Sequence, residues 1–281
     1  MQANRSAAVS DAPDTGGQPR WCPAGQHLAP VEEFAGGRNS CRTCERSRRA
    51  AHTEKLRQFY VDLLSASGGC ADCGESDLRL LEADHIAPKQ DEVSQMVTRM
   101  PSLDTFAAEF LRCEVRCRVC HIVRTLNGQR FWKATYGRLL DALSADERDV
   151  LVRHWLTLAH FPDPGLTGIE NKERYAVAHL AQGCPCGESR LGLLEFHHHG
   201  PRNLSVRDAV LFRSMRVVAA ELQQCSVRCV PCHRLEENPD WYRARLTPQR
   251  VDVWLQSLKP TTRRALKQRG LLTTTTATIA S

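Results

Sequence analysis

The sequence has no apolar run that approaches the roughly 18 residues needed for a membrane-spanning helix. Its opening stretch is polar and rich in glycine and proline, and it lacks the apolar segment of a secretory leader. Phe and Tyr are scarce, with 8 and 4 residues in a chain of 281, so a large aromatic core is not expected. These absences predict a soluble, cytoplasmic protein built from small domains, with its cysteines reduced.

Cysteine, by contrast, is abundant, and the chain contains 13 of them. In a reduced compartment, closely spaced cysteine pairs are more typical of zinc sites than of disulfides. A bound metal would also replace part of the stabilisation that a large apolar core would otherwise supply. The cysteine content therefore favours small zinc-stabilised domains.

Positive charge is concentrated near the N-terminus, although the formal net charge of the whole chain is only +6. A local basic cluster is typical of a surface that contacts the phosphate backbone of DNA. A solvated helix face explains such a cluster equally well. The candidate DNA-binding residues are Arg42, Arg46, Arg48, Arg49, Lys55 and Arg57.

The sequence contains two copies of one module. GGCADCGESDLRLLEADHIAPK of the first copy matches QGCPCGESRLGLLEFHHHGPR of the second, and EFLRCEVRCRVCH matches ELQQCSVRCVPCH. The interval from His85 to His121 is 36 residues, and the interval from His198 to His233 is 35. Agreement at both ends across a variable middle indicates an internal repeat.

The repeat divides the rest of the sequence into short segments. Residues 130–160 carry apolar residues at helical spacing around a Ser-Ala-Asp-Glu helix start, and they predict two helices. The Pro and Gly residues of FPDPGLTG predict a linker between the two halves. The predicted domains are a disordered tail (1–19), an N-terminal zinc unit (20–49), a first module (50–127), a helical connector and linker (128–170), a second module (171–238), C-terminal helices (239–270) and a second disordered tail (271–281).

Three groups of residues have the spacing of zinc ligands. Each module joins an early cysteine pair to a later Cys-x2-Cys pair, as four-thiolate zinc sites do, and a Cys-x4-His with Cys-x2-Cys near the N-terminus predicts a zinc knuckle. The predicted ligands are Cys70, Cys73, Cys117 and Cys120; Cys184, Cys186, Cys229 and Cys232; and Cys22, His27, Cys41 and Cys44. We therefore expect three structural Zn²⁺ ions, or two if the contracted Cys-x-Cys pair of the second module binds none.

Two cysteines, Cys113 and Cys225, are left over at matching places in the two modules. Each precedes its Cys-x2-Cys pair by the same interval. We expect both to pack as small buried side chains. All the cysteines are then assigned without a disulfide bond.

Each module also has a histidine directly after its last cysteine and an acid–histidine or histidine pair at the end of a short predicted strand. If Cys120 opens a helix, His121 points about 100° away from it and is available for a second role. Adjacent strand residues point to opposite faces, so Asp84 and His85 have different neighbours. The pattern allows one of them to bind a metal ion with His121 while the other acts on a water molecule.

These motifs, LEADH and EFLRCEVRCRVCHIVRT with the cysteine pairs, resemble the HNH endonuclease family, and in particular its zinc-braced subgroup from phages and actinobacteria. The resemblance covers both copies, roughly half of the chain. WCPAGQHLAPVEEFAGGRNSCRTCERSRR resembles the small zinc unit that often precedes such domains. The resemblance implies an α+β fold of small zinc-stabilised ββα-metal modules in tandem, with helical connectors and an N-terminal zinc knuckle.

The resemblance also implies a role for each residue that matches the motif. Asp84 and His121 match ligands of a single divalent cation, and His85 matches the general base that activates water against a phosphodiester bond. A neutral imidazole, with an ordinary pKa of about 6.5, can take a proton from water near neutral pH. The residues at the same places in the second copy are His197 and His233 as ligands and His198 as the base.

The ligand chemistry differs between the two copies. Two protein ligands with water and phosphate suit Mg²⁺ or Mn²⁺ as the catalytic cofactor of the first copy. The softer pair of His197 and His233 is better suited to Zn²⁺ or Ni²⁺. We therefore expect the first copy to carry the better site for phosphodiester hydrolysis.

The sequence departs from the family pattern in two respects. The asparagine of the family name is missing from residues 86–120, and the second copy has only Asn203. One helical turn after the last histidine, where family members often supply a further ligand, the residues are Thr125 and Glu237. Either the subgroup functions without the asparagine or the first copy has a weaker site.

Several other residues have a structural interpretation. We expect Glu82 and Glu195, which match between the copies, to bind local backbone rather than to act as a second base. His199 is a candidate ligand, DNA contact or surface residue, and the sequence does not choose among them. The tryptophans expected in helical cores are Trp132, Trp155, Trp241 and Trp254.

Three functional hypotheses therefore remain open. The first is a metal-dependent endonuclease that acts on DNA, or on RNA, with the two modules pairing within the chain as one option. The second is a catalytically weak or inactive zinc-dependent DNA-binding or regulatory protein on the same fold. The third, a zinc-dependent interaction scaffold, leaves the histidine pairs unexplained.

Overall fold

The computed structural model describes residues 18–34, 36–126, 132–201, 204–237, 246–249 and 251–272. The chain divides into two compact units, Met1–Leu56 and Arg57–Ser281. Outside the described residues lie most of the two predicted tails, Asn203, Trp241 and the side chains of Trp132 and Glu237.

A short antiparallel hairpin opens the N-terminal unit, and its register places Cys22 opposite His27. At the tip of the hairpin, a Cβ on Gly25 would fall 2.4 Å from the sulfur of Cys44, so the close approach requires glycine. The elements are β1 (Arg20–Cys22), β2 (His27–Ala29), a 3-10 turn (Val31–Glu33) and helix α1 (Arg42–Ala66).

The first repeat is built around one pair of antiparallel strands. Its elements after α1 are β3 (Leu81–His85), α2 (Val93–Arg99), α3 (Leu103–Phe110), β4 (Cys113–Cys117) and α4 (Arg118–Leu126). The strand pairing places Asp84 opposite Glu114 and His85 opposite Cys113. Because β4 ends at Cys117 and α4 follows at once, the second Cys-x2-Cys pair spans the junction of strand and helix.

Two helices connect the repeats, as the apolar spacing of this segment predicted. They are α5 (Trp132–Asp141) and α6 (Ala145–Thr157). Ser144 caps α6 because its hydroxyl accepts a hydrogen bond from the backbone N–H of Glu147, whose carboxylate accepts one from the backbone N–H of Ser144. The helix start expected from the Ser-Ala-Asp-Glu sequence is therefore confirmed.

The second repeat has the same order of elements as the first. The elements are α7 (Gly168–Leu180), a 3-10 turn (Leu191–Leu193), β5 (Leu194–His198), α8 (Val206–Phe212), α9 (Met215–Leu222), β6 (Cys225–Cys229) and α10 (Val230–Glu237). The register of β5 and β6 places His197 opposite Ser226 and His198 opposite Cys225. The chain continues with a 3-10 segment (Val251–Ser257) and helix α11 (Pro260–Gln268).

Aromatic side chains form the core beside the first repeat. Phe59 of α1 contacts Phe106 of α3 and Trp254, at ring-centroid distances of 6.1 Å and 5.3 Å. The hydroxyl of Tyr60 accepts a hydrogen bond from the backbone N–H of Ala83 at 3.2 Å, which fixes α1 against β3. The expectation of a core position is confirmed for Trp254 and also for Trp155, which is buried against Tyr136.

Asp62 is a fully buried carboxylate that joins α1 to the C-terminal segment. Its Oδ1 accepts hydrogen bonds from the side chain of Gln58 and the backbone N–H of Gln249, and its Oδ2 accepts one from Nε1 of Trp254 at 2.7 Å. Burial raises the pKa of Asp62, and these donors oppose the shift.

Replacing Asp62 by asparagine is expected to lower the free energy of unfolding by about 1–3 kcal/mol, because an amide NH₂ would face one of these donors. Denaturant unfolding of the purified protein measures the change. Asp149→Asn on the exposed face of α6 is the matched control. Equal stability of the Asp62 and Asp149 variants would contradict the anchoring role of this carboxylate.

The molecule thus mixes helices with small antiparallel two-stranded sheets, which confirms the predicted α+β class. None of the helices in the described part of the chain has the length and apolar character needed to cross a membrane. Leu271 and Leu272, the last residues that the structure describes, are buried.

Candidate metal centres

Among the described residues, three groups of side chains could each hold one metal ion. Within each group the four ligand atoms lie within 4.8 Å of one another, which is the proximity that a tetrahedral Zn²⁺ site requires. All the predicted structural ligands are brought together in this way. The groups are Cys22, His27, Cys41 and Cys44; Cys70, Cys73, Cys117 and Cys120; and Cys184, Cys186, Cys229 and Cys232.

In each group, backbone hydrogen bonds favour the metal-binding thiolate form of one cysteine, namely Cys22, Cys70 or Cys184. The pKa values of five other cysteines are raised instead, those of Cys44, Cys117, Cys120, Cys229 and Cys232. A hydrogen bond from the backbone of Cys41 lowers the pKa of Cys22 to about 7. Burial opposes the ionisation of Cys70, but backbone hydrogen bonds from Cys117 and Cys73 lower its pKa to about 7 as well. None of the 13 cysteines forms a disulfide.

Cys113 and Cys225 lie outside the three groups, as expected. Cys113 is buried, and its thiol donates to the backbone carbonyl of Glu109 at 3.5 Å. Burial raises the pKa of Cys113 to about 12, so the thiol stays protonated. Cys225 makes the matching bond to Glu221 at 3.3 Å but is only half-buried, less than expected.

A second kind of site lies on the other side of α4, where His121 faces β3. The Nδ1 atom of His121 is hydrogen-bonded to Oε1 of Glu82. Its Nε2 atom lies 3.4 Å from Oδ1 of Asp84, which is on the same face of the strand. A carboxylate that fixes one ring nitrogen while the other binds metal is the usual environment of a metal-ligating histidine.

Asp84 and His121 have the chemistry of a divalent-cation site. Two ligands of one Mg²⁺ or Mn²⁺ ion, each about 2.1 Å from the metal, lie roughly 3 Å apart, close to the separation observed here. A carboxylate oxygen with one imidazole nitrogen suits these ions, and two protein ligands leave positions for water and phosphate. The residues therefore fit the cation that the family resemblance implies.

The charge of this site is balanced by arginines from both repeats. Burial opposes the ionisation of Glu82, but the hydrogen bond with His121 and the charges of Arg118 and Arg234 lower the pKa of Glu82 to about 2. The same hydrogen bond raises the pKa of His121. Arg234 belongs to α10 of the second repeat, and its Nη1 lies 3.5 Å from Oε2 of Glu82. Part of the first site is thus supplied by the second repeat.

Arg116 connects Asp84 to the loop that carries Cys70 and Cys73. This buried arginine places Nη1 3.1 Å from Oδ2 of Asp84 and Nε 2.9 Å from Asp72, which lies between Cys70 and Cys73. It also pairs with Glu114. Arg116 therefore occupies one oxygen of Asp84 and leaves the other facing His121.

His85 points away from Asp84, as the alternation of side chains along a strand predicts. Its Nε2 atom lies 2.9 Å from Oε1 of Glu109, which comes from α3. Asp84 and His85 consequently have separate partners. Asp84 faces His121 of α4, and His85 faces Glu109 of α3.

The second repeat reproduces this arrangement with different ligand chemistry. Nδ1 of His233 lies 2.7 Å from Oε2 of Glu195, and Nε2 of His198 lies 2.7 Å from Oε1 of Glu221. The rings of His197 and His233 are perpendicular, with centroids 5.2 Å apart. A histidine therefore stands where the first repeat has Asp84.

The surroundings of the second pair differ in charge as well. Arg228, which matches Arg116 in sequence, pairs with Glu236 at 2.7 Å. The ring of His199 lies 5.8 Å from that of His197, so the third histidine of the HHH sequence is a neighbour of the site.

One expectation from sequence needs revision, and two residues of the sites were missed. Glu82 and Glu195 bind His121 and His233, so the expectation that they bind local backbone was wrong. The partners of the proposed bases, Glu109 and Glu221, were not singled out at all. Their signal was present, because both lie at the same place in the matching segments EFLRCEVRCRVCH and ELQQCSVRCVPCH.

The six predicted DNA-binding residues all lie on α1, and five of them are exposed while Arg57 is half-buried. Part of this charge is offset within the unit. Arg38, Arg48 and Arg49 lie 3.3, 3.6 and 3.1 Å from the carboxylate of Glu45. Arg42, Arg46 and Arg49 also line a groove with Arg38.

Comparisons of the chain with protein-family models, with characterised proteins and with solved structures gave no match.

Proposed function

We propose that this chain is a metal-dependent HNH-type endonuclease that hydrolyses phosphodiester bonds in DNA through two tandem modules. The observation that carries the proposal is that two adjacent residues at the end of β3 face different partners. Asp84 lies 3.4 Å from Nε2 of His121, while the adjacent His85 faces Glu109 on the opposite side. Separate positions for a cation and for a base are what metal-assisted hydrolysis of a phosphodiester requires.

Each side chain of the first site has one role in the proposed reaction. His85 takes a proton from the attacking water. Asp84 and His121 would hold a Mg²⁺ or Mn²⁺ ion, whose charge supplies electrostatic stabilisation to the phosphate and the departing oxygen. Glu82 holds the ring of His121 through Nδ1 so that Nε2 faces Asp84.

The second repeat has the same arrangement with His198 as the base and with His197 and His233 as ligands. Its two imidazoles suit Zn²⁺ or Ni²⁺ better than Mg²⁺. We infer that the first repeat is the more active one in Mg²⁺ or Mn²⁺.

DNA binding in this proposal rests on the exposed basic residues of α1. Because they would contact phosphates rather than bases, binding should be insensitive to sequence and should weaken steeply with salt. Glu45 carries one negative charge and therefore offsets only part of the charge of Arg38, Arg48 and Arg49.

One observation favours a second candidate function, a DNA-binding or regulatory protein with little or no cleavage activity. Arg116 already pairs with Asp84 at 3.1 Å and thereby competes for the charge that a cation would use. This ion pair and the missing asparagine are both expected of a repeat that has kept the fold but no longer hydrolyses phosphodiesters.

Incubation of supercoiled plasmid with the purified protein tests the proposal. We expect nicking with Mg²⁺ or Mn²⁺, none with a chelator of these ions, and a large loss in Asp84→Ala and His121→Ala. Asp149→Ala on the exposed face of α6 is the control for loss of a carboxylate. No cleavage with any divalent cation, with salt-sensitive DNA binding intact, would favour the regulatory alternative.

A further inference from the structure

Glu109 is placed unusually for a charged residue, since its side chain is only 4 % exposed. It lies on α3, and its Oε1 atom faces Nε2 of His85 at 2.9 Å. The same oxygen accepts hydrogen bonds from the backbone N–H groups of Gln90 at 3.0 Å and Asp91 at 3.2 Å. A buried carboxylate is therefore fixed against the proposed base from an element outside the ββα unit.

The backbone N–H groups of Gln90 and Asp91 can only donate, so they favour the ionised form of Glu109. Burial opposes ionisation, but the N–H groups of Gln90 and Asp91 and the contact with His85 lower the pKa of Glu109. An ionised carboxylate only accepts hydrogen bonds, and Nε2 of His85 must consequently carry the proton that it donates. The remaining nitrogen, Nδ1, is then the one with a lone pair for a proton from water.

The second repeat contains the same pair. Oε1 of Glu221 lies 2.7 Å from Nε2 of His198. The surrounding backbone agrees too: the N–H of Ile86 donates to the carbonyl of Arg112, and the N–H of His199 donates to the carbonyl of Gln224. Each glutamate is thus held at the same place relative to the end of its strand.

The residues proposed as metal ligands differ between the two repeats, whereas the contact of the proposed base is the same in both. Asp84 of the first repeat is replaced by His197 in the second, and the arginine partner changes as well. The glutamate–histidine contact is nevertheless present in both. A group that served only the cation ligands would have no reason to face His85 and His198.

We propose that Glu109 and Glu221 are positioning residues for the two bases, each holding its imidazole through Nε2–H so that Nδ1 accepts the proton. The proposal rests on the proposed nuclease function and deepens it, since it adds a carboxylate that stabilises the imidazolium formed when the base takes its proton. In sequence, Glu109 lies between β3 and β4, and Glu221 lies between β5 and β6.

A purely structural role is the alternative, because Glu109 also ties the loop at Gln90 and Asp91 to α3. Glu109→Gln distinguishes the two roles. The amide oxygen of glutamine can accept the same three hydrogen bonds, so the loop and ring orientation should persist while the negative charge is lost. We expect kcat for plasmid nicking to fall on the order of tenfold to a hundredfold, with KM for DNA little changed.

Glu32→Gln on the exposed part of the N-terminal unit is the matched control, and we expect it to keep wild-type kcat. Zinc content and unfolding midpoint report whether each variant is folded. A folded Glu109→Gln protein with wild-type kcat would overturn the electrostatic role.

A measurement that does not need activity tests the pair itself. Long-range ¹H–¹⁵N spectra of the full-length protein with ¹⁵N-labelled histidine, recorded at alkaline pH, identify which ring nitrogen carries the proton. We expect the Nε2–H tautomer for His85, assigned by the signal lost in His85→Ala, and a changed chemical shift of its Nε2 proton in Glu109→Ala, because that proton would lose its hydrogen bond to the carboxylate. The Nδ1–H tautomer in the wild type would overturn the inference whatever the activity. The Nε2–H tautomer in a protein that cleaves nothing would instead overturn the proposed function and leave the pair standing.

Discussion

Replacing His85 by alanine is expected to lower the rate of Mg²⁺- or Mn²⁺-dependent plasmid nicking by roughly 10²- to 10⁴-fold, the usual contribution of a general base. The side chain lies at the end of β3 with Glu109 behind it and Asp84 directed to the other face. Its removal takes away the proton acceptor while leaving the cation ligands in place. Initial nicking rates at saturating cation measure the effect.

His154→Ala is the matched control, because this histidine is exposed on α6 and far in sequence from both motifs. We expect it to nick at the wild-type rate. His198→Ala should cost little in Mg²⁺ if the first repeat does most of the cleavage, and more when Zn²⁺ or Ni²⁺ is supplied. Nicking retained in the double variant of His85 and His198 would show that neither histidine is the base.

The second large effect is expected from Cys117→Ser. Cys117 ends β4, its sulfur lies 3.6 Å from that of Cys73, and the group it belongs to joins the loop before β3 to the start of α4. Serine does not replace a thiolate as a zinc ligand, so we expect the variant to bind two structural zinc ions per chain and the wild type to bind three. The loss of stability should amount to several kcal/mol, since binding of a structural zinc is coupled to folding.

Native mass spectrometry counts the bound zinc, and thermal unfolding reports the stability. Cys113→Ala is the control, because it also removes a buried thiol of β4 but one that lies outside the metal-binding group. Three zinc ions in Cys117→Ser, with an unchanged unfolding temperature, would rule out a structural zinc at this group. We expect nicking by Cys117→Ser to fall as well, since α4 carries both Cys120 and His121.

Much of this architecture follows from short-range sequence patterns. The Cys-x2-Cys pairs place two ligands in one turn, so their spacing alone indicated which residues would meet in each metal-binding group. The alternation of a strand separated Asp84 from His85, and the helical offset after Cys120 turned His121 toward the strand. These relations depend on the geometry of a single element, which the local sequence determines.

The partners of the histidines were decided by tertiary structure. Glu82 meets His121 across 39 residues, and Glu109 meets His85 across 24. Their identities depend on how α4 and α3 pack against β3, and no periodicity within one element carries that information. The wrong expectation for Glu82 arose for this reason, because a carboxylate on a short strand has nearby backbone donors as its default partners.

The relation between the repeats is also a product of packing. The sequence by itself determined that the module occurs twice, which residues gather around the three metal-binding groups, and that the second site exchanges an aspartate for a histidine. Only the tertiary structure brought Arg234 of the second repeat to Glu82 of the first, and Arg116 to Asp84. Ion pairs of this kind form between side chains whose proximity is set by the packing of separate helices and strands, so they become visible only when the chain is folded.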